Sequence, residues 1–426
     1  MIFIDWGGIG LNEKLIKKMA IESLACMILV VTLSFAFQRY QLSVIEASGN
    51  ETYNILQDTA EVPSIRDDTD LEKQIEDNDS SSLFMGKLSL VDEDITENLN
   101  KYILIKKPEG GSITLSLEDL YITKCIRITL SGLDNNRFNS GMVGRVNNDE
   151  LYVGYPVYEA ITTLQMNADT EEIEEIITKN YGDDFAHEII IESSYDMDVN
   201  SYSSEIYIQL DDVYIHLVEE DDNYFYIELK KPKEVYDKVL VIDAGHGGKD
   251  GGALSSKKDV FEKNINLDIL LKLKELLDKE DIKVYYTRMS DETIYLRPRV
   301  NLANSVDSDF FISIHCNSSD SKGPSGTEIY YYDKESNGVK VKDLATISSE
   351  EMDKAISLKK RGIVKMQGDN IFILKKAEVP AVIIEVGYMS NNNDLNYIND
   401  DDNRKNIAHG VYNSIMRAYE ELIQVN

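Results

Sequence analysis

The chain has 426 residues, of which 42% are hydrophobic and 9% aromatic, enough to bury cores in two or three domains and to exclude wholesale disorder. Forty-four basic against 76 acidic residues give a net charge of −32, which repels nucleic-acid phosphate and excludes nucleic acid as a main partner. Three cysteines (Cys26, Cys125, Cys316) cannot build a disulfide framework.

Residues 1–18 contain Lys14, Lys17 and Lys18, and an apolar run follows from Met19 to Phe37. This pattern predicts a cytoplasmic N-terminus at 1–18, a single transmembrane signal-anchor helix over 19–38, and an extracytoplasmic remainder. A cleaved signal peptide is the rival reading, and it too exports the bulk of the chain. Residues 39–82 are polar; 51–80 hold ten acidic and two basic residues, which predicts an acidic flexible linker.

Residues 83–236 read as a β-rich accessory domain. Apolar and polar residues alternate over Ile113–Leu117, Tyr121–Leu130 and Glu205–Leu210. One helix is expected near 156–180. Tyr102–Pro108 faintly echoes Tyr226–Pro232. His187 and His216 fall in strand-like runs and are read as ordinary strand residues. The first 236 residues carry 18 basic and 45 acidic side chains, against 26 and 31 in the rest, so a boundary near 236 separates modules of different character.

From 237 to 426 strand-like apolar runs alternate with helical ones. The strands are expected at Lys238–Ile242, Ile282–Tyr286, Phe310–Ile314, Thr327–Tyr332 and Ala381–Ile384. Ile265, Ile269, Leu273, Leu276 and Leu277 form one helical stripe; Ile407, Val411, Ile415 and Ala418 form another. This is an α/β domain with a mostly parallel, buried sheet.

In such folds ligands bind beyond the carboxyl ends of the strands. That rule selects His246 in a glycine-rich loop after the first strand, His315 after the third, Glu385 after the last, and Glu262 at the start of a long helix. The loop is not a phosphate cradle: Gly248-Lys249 has Asp243 where a Walker loop needs glycine and Asp250 where it needs serine or threonine. Two imidazoles and a carboxylate suit zinc with a fourth position left to water. By spacing alone, ordinary hydrogen bonding of strand-end histidines competes with that reading.

The segments Val241-Ile-Asp-Ala-Gly-His-Gly-Gly-Lys-Asp-Gly-Gly-Ala253, Phe261-Glu-Lys-Asn264, Leu296–Asn304, Ser313-Ile-His-Cys-Asn317 and Val379–Asn391 follow one another in order. Together they resemble the zinc-dependent N-acetylmuramoyl-L-alanine amidases over about 237–424. The resemblance implies that His246, Glu262 and His315 bind Zn2+ and that Glu385 is the catalytic carboxylate. It also implies peptidoglycan as substrate, cut between the lactyl group of N-acetylmuramic acid and L-alanine. Asn317 is a candidate for positioning substrate; Arg299 and Asn304 are read as structural. Ala244 and Cys316 depart from the family pattern at positions that are not ligands; Cys316 is read as a buried small hydrophobe and His409 as a surface residue. Only 28 residues separate Tyr332 from Arg361, too few for a long inhibitory helix, so an open site is expected. The alternatives are a catalytically silent wall-binding or regulatory protein and a zinc peptidase acting on another amide. The acidic β-rich region is expected to target the enzyme or dock a basic protein partner, with a structural spacer as the other reading.

Overall fold

Val239–Ala244 is buried at every position, as a strand covered on both faces must be. A computed structural model of the protein describes residues 101–423 except 109–111, 136–137, 148–149, 167–172, 198–199, 256–258 and 369–370. The expected membrane helix 19–38, its flanking 1–18, the linker 39–82 and the first part of the β-rich region lie outside the described residues. Among the described residues no helix is long and apolar enough to cross a membrane.

Eleven strands come first in the described chain. β1 (Lys101–Lys106), β4 (Val143–Asn147), β5 (Glu150–Val153), β10 (Ile215–Glu220) and β11 (Tyr224–Lys230) form an antiparallel sheet in the order β10-β11-β1-β4-β5. β2 (Thr114–Leu120), β3 (Cys125–Leu133), β8 (Ala186–Asp196) and β9 (Ser201–Leu210) form a second, ordered β2-β3-β9-β8. Alternate residues of the two sheets, Ile126, Ile128, Leu130, Ile206 and Ile208 against Ile103, Ile105, Phe225 and Ile227, share one core, the arrangement of a β-sandwich. The Tyr102 and Tyr226 segments that echo one another pair antiparallel about Ile103↔Ile227, so the echo is a local two-fold across adjacent strands.

Two expectations are corrected here. The helix near 156–180 is a hairpin of β6 (Glu159–Met166) and β7 (Ile173–Asn180), paired from Glu159↔Asn180 to Met166↔Ile173. The β-branched residues Ile161, Thr162, Thr163, Ile173, Ile176, Ile177 and Thr178 favour strand and outweigh the glutamates. The strand expected over 121–130 starts only at Cys125. Tyr121–Thr123 is a 3-10 turn closed by Lys124 in the left-handed region (φ 53°), which turns β2 back onto β3.

After the short helix α1 (Pro232–Val235) comes a six-stranded sheet of β12 (Val239–Ala244), β13 (Lys283–Tyr286), β14 (Phe310–Asn317), β15 (Thr327–Tyr331), β18 (Lys360–Lys365) and β19 (Ala381–Tyr388). Its order is β13-β12-β14-β19-β15-β18. The sheet is mixed: four of its five strand pairs are parallel, in keeping with a mostly parallel sheet, while β15 runs antiparallel to β19 and carries β18 parallel to itself. A two-stranded ribbon, β16 (Glu335–Ser336) with β17 (Val339–Lys340), leads into the next helix.

Helices cover both faces. Leu240 and Ile242 point to one side, against α2 (Glu262–Leu277), α4 (Val341–Ala355) and α7 (Asp401–Leu422) through Ile265, Ile269, Leu344, Ile407 and Val411. Val239 and Val241 point to the other, against α3 (Leu296–Ser305) and α5 (Phe372–Lys376), where Val213 and Ile215 of the β-rich region join the core. The segment between Tyr332 and Arg361 therefore becomes α4, a core helix packed on α7, and α6 (Asn392–Ile398) follows β19. Tyr121 ties the sandwich to the mixed sheet: its ring meets Tyr285 edge-on at 5.1 Å and its hydroxyl donates to the Tyr286 carbonyl at 2.9 Å.

Candidate metal centre

β12 ends at Ala244, and the Gly245 amide continues the pairing by donating to the Ile314 carbonyl of β14 at 3.0 Å. This bond lays the His246 loop beside His315. Gly245 has no room for a side chain: a Cβ there would lie 2.2 Å from the His315 ring. Gly252 is equally constrained, at φ +66° with a Cβ position 2.6 Å from Glu262 Oε2 and 2.7 Å from the His246 ring. His246 itself adopts φ 63°, a left-handed conformation uncommon outside glycine and found where a side chain must be aimed.

The aim is at Glu262, the first residue of α2. His246 Nε2 lies 3.2 Å from Glu262 Oε2 and His315 Nδ1 lies 3.0 Å from Glu262 Oε1. The two imidazoles stand edge to face at 4.8 Å. Backbone amides fix the carboxylate, Ala253 donating to Oε2 at 2.8 Å and Cys316 to Oε1 at 2.9 Å. The helix N-terminus adds a favourable field for its negative charge. Burial by itself would raise the Glu262 pKa, but the hydrogen bonds and charges of His315 and His246 hold the carboxyl well below its usual range. Burial would lower the His246 pKa; Glu262 and Asp250 outweigh it and raise it to about 9. Asp250 Oδ2 sits 2.7 Å from His246 Nδ1, which orients the ring with Nε2 toward Glu262.

The three donor groups offer ligand atoms all within 4.8 Å of one another. Two imidazoles and a carboxylate in a glycine-lined cradle fit a divalent cation of borderline softness. His246 and His315 keep 24% and 19% of their side-chain surface exposed, while Glu262 keeps 4%. Cys316 is buried, with Sγ 3.5 Å from Asn266 Oδ1, and stands outside this donor set.

Behind the loop lies a buried charge network. Asp243 pairs with Arg299 and accepts from Thr287 Oγ1 at 2.6 Å and from Ser313 Oγ. Arg299 also donates to the His246 carbonyl at 2.7 Å, and Arg288 to the Ala244 and Gly245 carbonyls at 2.8 and 3.0 Å. Arg299 is thus structural, as expected, and acts on the site through the His246 backbone. Asn304 braces the loop before β19, donating to the Lys376 carbonyl at 3.1 Å and accepting from the Glu378 amide at 2.9 Å. His409 is exposed on α7. His187 stacks on Tyr181 at 4.4 Å, and His216 is a half-buried strand residue with its Nε2 buried.

Glu385 occupies the middle of β19, in register with His315. Its Oε2 is buried and has no hydrogen-bond partner among the described residues. Burial pushes the Glu385 pKa up to about 7; His315 opposes this, and the carboxylates of Glu262 and Glu328 reinforce it. Asn317 turns toward β15, donating from Nδ2 to Tyr330 Oη at 2.6 Å and to Glu328 Oε2 at 3.2 Å. Asp250, Glu328 and Arg361 were not singled out in the sequence. Asp250 is four residues from His246 and was legible there, whereas Glu328 and Arg361 reach the site only through strand pairing.

The sequence profile of the N-acetylmuramoyl-L-alanine amidase family matches residues 240–417. The chain is 33% identical over 182 residues to N-acetylmuramoyl-L-alanine amidase CwlM of Bacillus licheniformis, a match covering 42% of this chain and 68% of that protein. It is 33% identical over 183 residues to the "Probable cell wall amidase LytH" of Staphylococcus epidermidis, covering 43% of this chain and 58% of the relative. The chain thus spans little more than half the length of the staphylococcal protein. The solved catalytic domain of CwlV, an N-acetylmuramoyl-L-alanine amidase from Bacillus (Paenibacillus) polymyxa var. colistinus, is 34% identical, covers 44% of this chain and 99% of its own, and superposes with a TM-score of 0.40. On the profile and the identity to the licheniformis enzyme, this chain belongs to the N-acetylmuramoyl-L-alanine amidase family.

Proposed function

We propose that the protein is a zinc-dependent N-acetylmuramoyl-L-alanine amidase that remodels peptidoglycan. The observation that carries this reading is the convergence of His246, Glu262 and His315, with Glu385 in register beside them. His246, Glu262 and His315 would hold zinc, which when bound would supply Lewis acidity toward an amide carbonyl and a water molecule.

The remaining work falls to the chain's own residues. Asp250 fixes the His246 tautomer. Glu385, with a pKa near 7, takes a proton from the attacking water and hands it to the departing amine. One C–N bond breaks and one C–O bond forms, leaving a carboxylate on the lactyl group and a free amino group on L-alanine. Asn317 holds the Glu328–Tyr330 side of the site and positions substrate there.

The proposal extends to the whole chain. Residues 19–38 anchor it in the membrane, 39–82 act as a tether, and the catalytic domain 237–426 works outside the cytoplasm; the lysines before residue 19 support that orientation. The β-rich region, 83–236, targets the enzyme or docks a basic partner, in keeping with its acidity. Uniform distribution of a tagged 83–236 fragment around the cell would count against targeting. The central test is digestion of purified peptidoglycan with and without chelator, assayed for new L-alanine amino groups. Release that is blocked by chelator and restored by zinc is expected. Cleavage that exposes a different amino group would point to a peptidase, and no cleavage by zinc-loaded protein to a silent wall-binding role.

A further inference from the structure

The edge strand β18 carries an irregularity beside the site. Thr327 pairs with Lys360 and Glu328 with Gly362, so Arg361 is an extra residue between them. Such bulges re-aim a side chain, cluster next to active sites and are rare in parallel pairs. Gly362, at φ 82°, supplies the conformation that the bulge needs. The Arg361 side chain is thereby sent along the sheet toward Glu328, which itself pairs directly across from Glu385 on β19.

Arg361 is held in a particular pose. Its Nε bonds to Glu328 Oε1, and its guanidinium lies 5.4 Å from the centre of the Tyr388 ring. Glu328 is 7% exposed and is fixed by Tyr330 and Asn317, with Tyr330 Oη donating to Oε2 at 2.9 Å. Only Nε is used in pairing with a carboxylate among the described residues, and 32% of the Arg361 side chain remains exposed. The outer edge of the fork, formed by its two terminal nitrogens, therefore stays available. That edge matches the two oxygens of a carboxylate.

The wider charge makes this position informative. The catalytic half carries 26 basic against 31 acidic residues, and Glu262 and Glu328 add negative charge at the site. A fixed cation beside the site would offset that charge for a stem peptide with free carboxylates. We propose that Arg361 is a substrate-specificity residue that receives a carboxylate on the peptide side of the substrate, beyond the L-alanine. Glu328 and Tyr388 hold its guanidinium in place for that contact. This inference rests on the amidase reading above.

Binding, rather than turnover, tests it. Full-length zinc-loaded protein carrying Glu385→Ala is titrated with a soluble N-acetylmuramoyl-L-alanyl peptide bearing a free carboxylate beyond the alanine, and with the same peptide amidated there. A charge-assisted, two-pronged contact predicts about 10- to 100-fold tighter binding of the free carboxylate. Adding Arg361→Gln should erase that preference, and Arg361→Lys should keep part of it. Because Arg361→Gln strands the Glu328 carboxylate, the Arg361→Gln/Glu328→Gln pair is the control, and the preference must vanish there too. Equal binding of both peptides by the parent, or an undiminished preference in either glutamine variant, would overturn the proposal. An Arg361-dependent preference in a protein whose wild type releases no L-alanine amino groups would instead sink the amidase reading and leave the subsite standing.

Discussion

His315 and Glu385 stand opposite one another across the parallel pair of β14 and β19, in register within the two central strands. The pairing fixes a metal-ligand candidate and a proton-transfer candidate on one rigid frame. Glu385→Gln keeps the shape and removes the basic oxygen. It should lower turnover by about 10²–10⁴-fold while zinc content per molecule stays unchanged. Metal analysis alongside the amino-group assay checks this, and full activity in the variant would remove Glu385 from the mechanism.

Metal content should respond instead to the donors and to the glycine beneath them. His315→Ala deletes one of three ligands and should lose both zinc and activity. Gly245→Ala is the subtler test, because its Cβ would fall 2.2 Å from the His315 ring and force the imidazole aside. Displacing a ligand in this way should weaken zinc affinity by about 10- to 100-fold, the scale seen when a ligand's orienting partner is lost. Competition with a chromogenic chelator measures it, and wild-type affinity in Gly245→Ala would show that His315 is not a ligand.

Zinc binding should release protons. His246 has its pKa raised to about 9 by Glu262 and Asp250 against the effect of burial, so at pH 7.5 the metal-free ring is charged. Metal can bind only the neutral imidazole, so at least one proton per zinc must leave, and His315, whose pKa Glu262 also raises against burial, adds to that number. Calorimetry at pH 7.5 in buffers of different ionisation enthalpy reads that number. The same shift has a stability consequence: the His246 contribution is fully present below pH 6.5 and is lost as pH rises through 9. Metal-free protein should therefore melt lower at pH 9.5 than at pH 6.5 by more than an Asp250→Asn/His246→Ala variant does.

The site positions were legible because each follows an apolar run, although β14 and β19 continue two and three residues beyond His315 and Glu385. His246, His315 and Glu385 each follow such a run, and Glu262 opens the amphipathic helix between them. The supporting charges were not legible. Asp243 meets Arg299 from 56 residues away and Glu328 meets Arg361 from 33, and neither pair belongs to a local pattern. The β6–β7 hairpin was misread for a related reason. Its glutamates favour a helix, but its β-branched residues favour strand, and the pairing of Glu159–Met166 with Ile173–Asn180 secures it. The antiparallel direction of β15 was equally hidden, since an apolar run does not reveal which way it pairs.

Asp119 and His216 of the sandwich both feel the charge of Lys283 on β13, and their pH responses oppose. Burial pushes the Asp119 carboxyl up to about 7, with Lys283 resisting. Burial and Lys283 together take His216 down to about 4, and its buried Nε2 has no hydrogen-bond partner among the described residues. Lys283 itself lies over the rings of Tyr285 at 4.9 Å and Tyr236 at 5.8 Å, and Tyr121 completes the surroundings through its edge contact with Tyr285. Asp119 binds its proton more tightly in the fold than in the open chain. Its contribution is therefore present below pH 3.8 and is lost as pH rises through 7. His216 binds its proton less tightly in the fold, so its contribution is present above pH 6.5 and is lost as pH falls through 4. In wild type the two slopes offset one another between these limits. Asp119→Asn removes only the first, so the variant should gain on wild type as pH rises from 4 to 7. The gain should be on the order of 1 kcal/mol after solvent screening, or about 2–4 °C in Tm. Melting curves of the two proteins at matched pH values measure the difference, and a difference that does not change with pH would mean that Asp119 stays ionised in the fold.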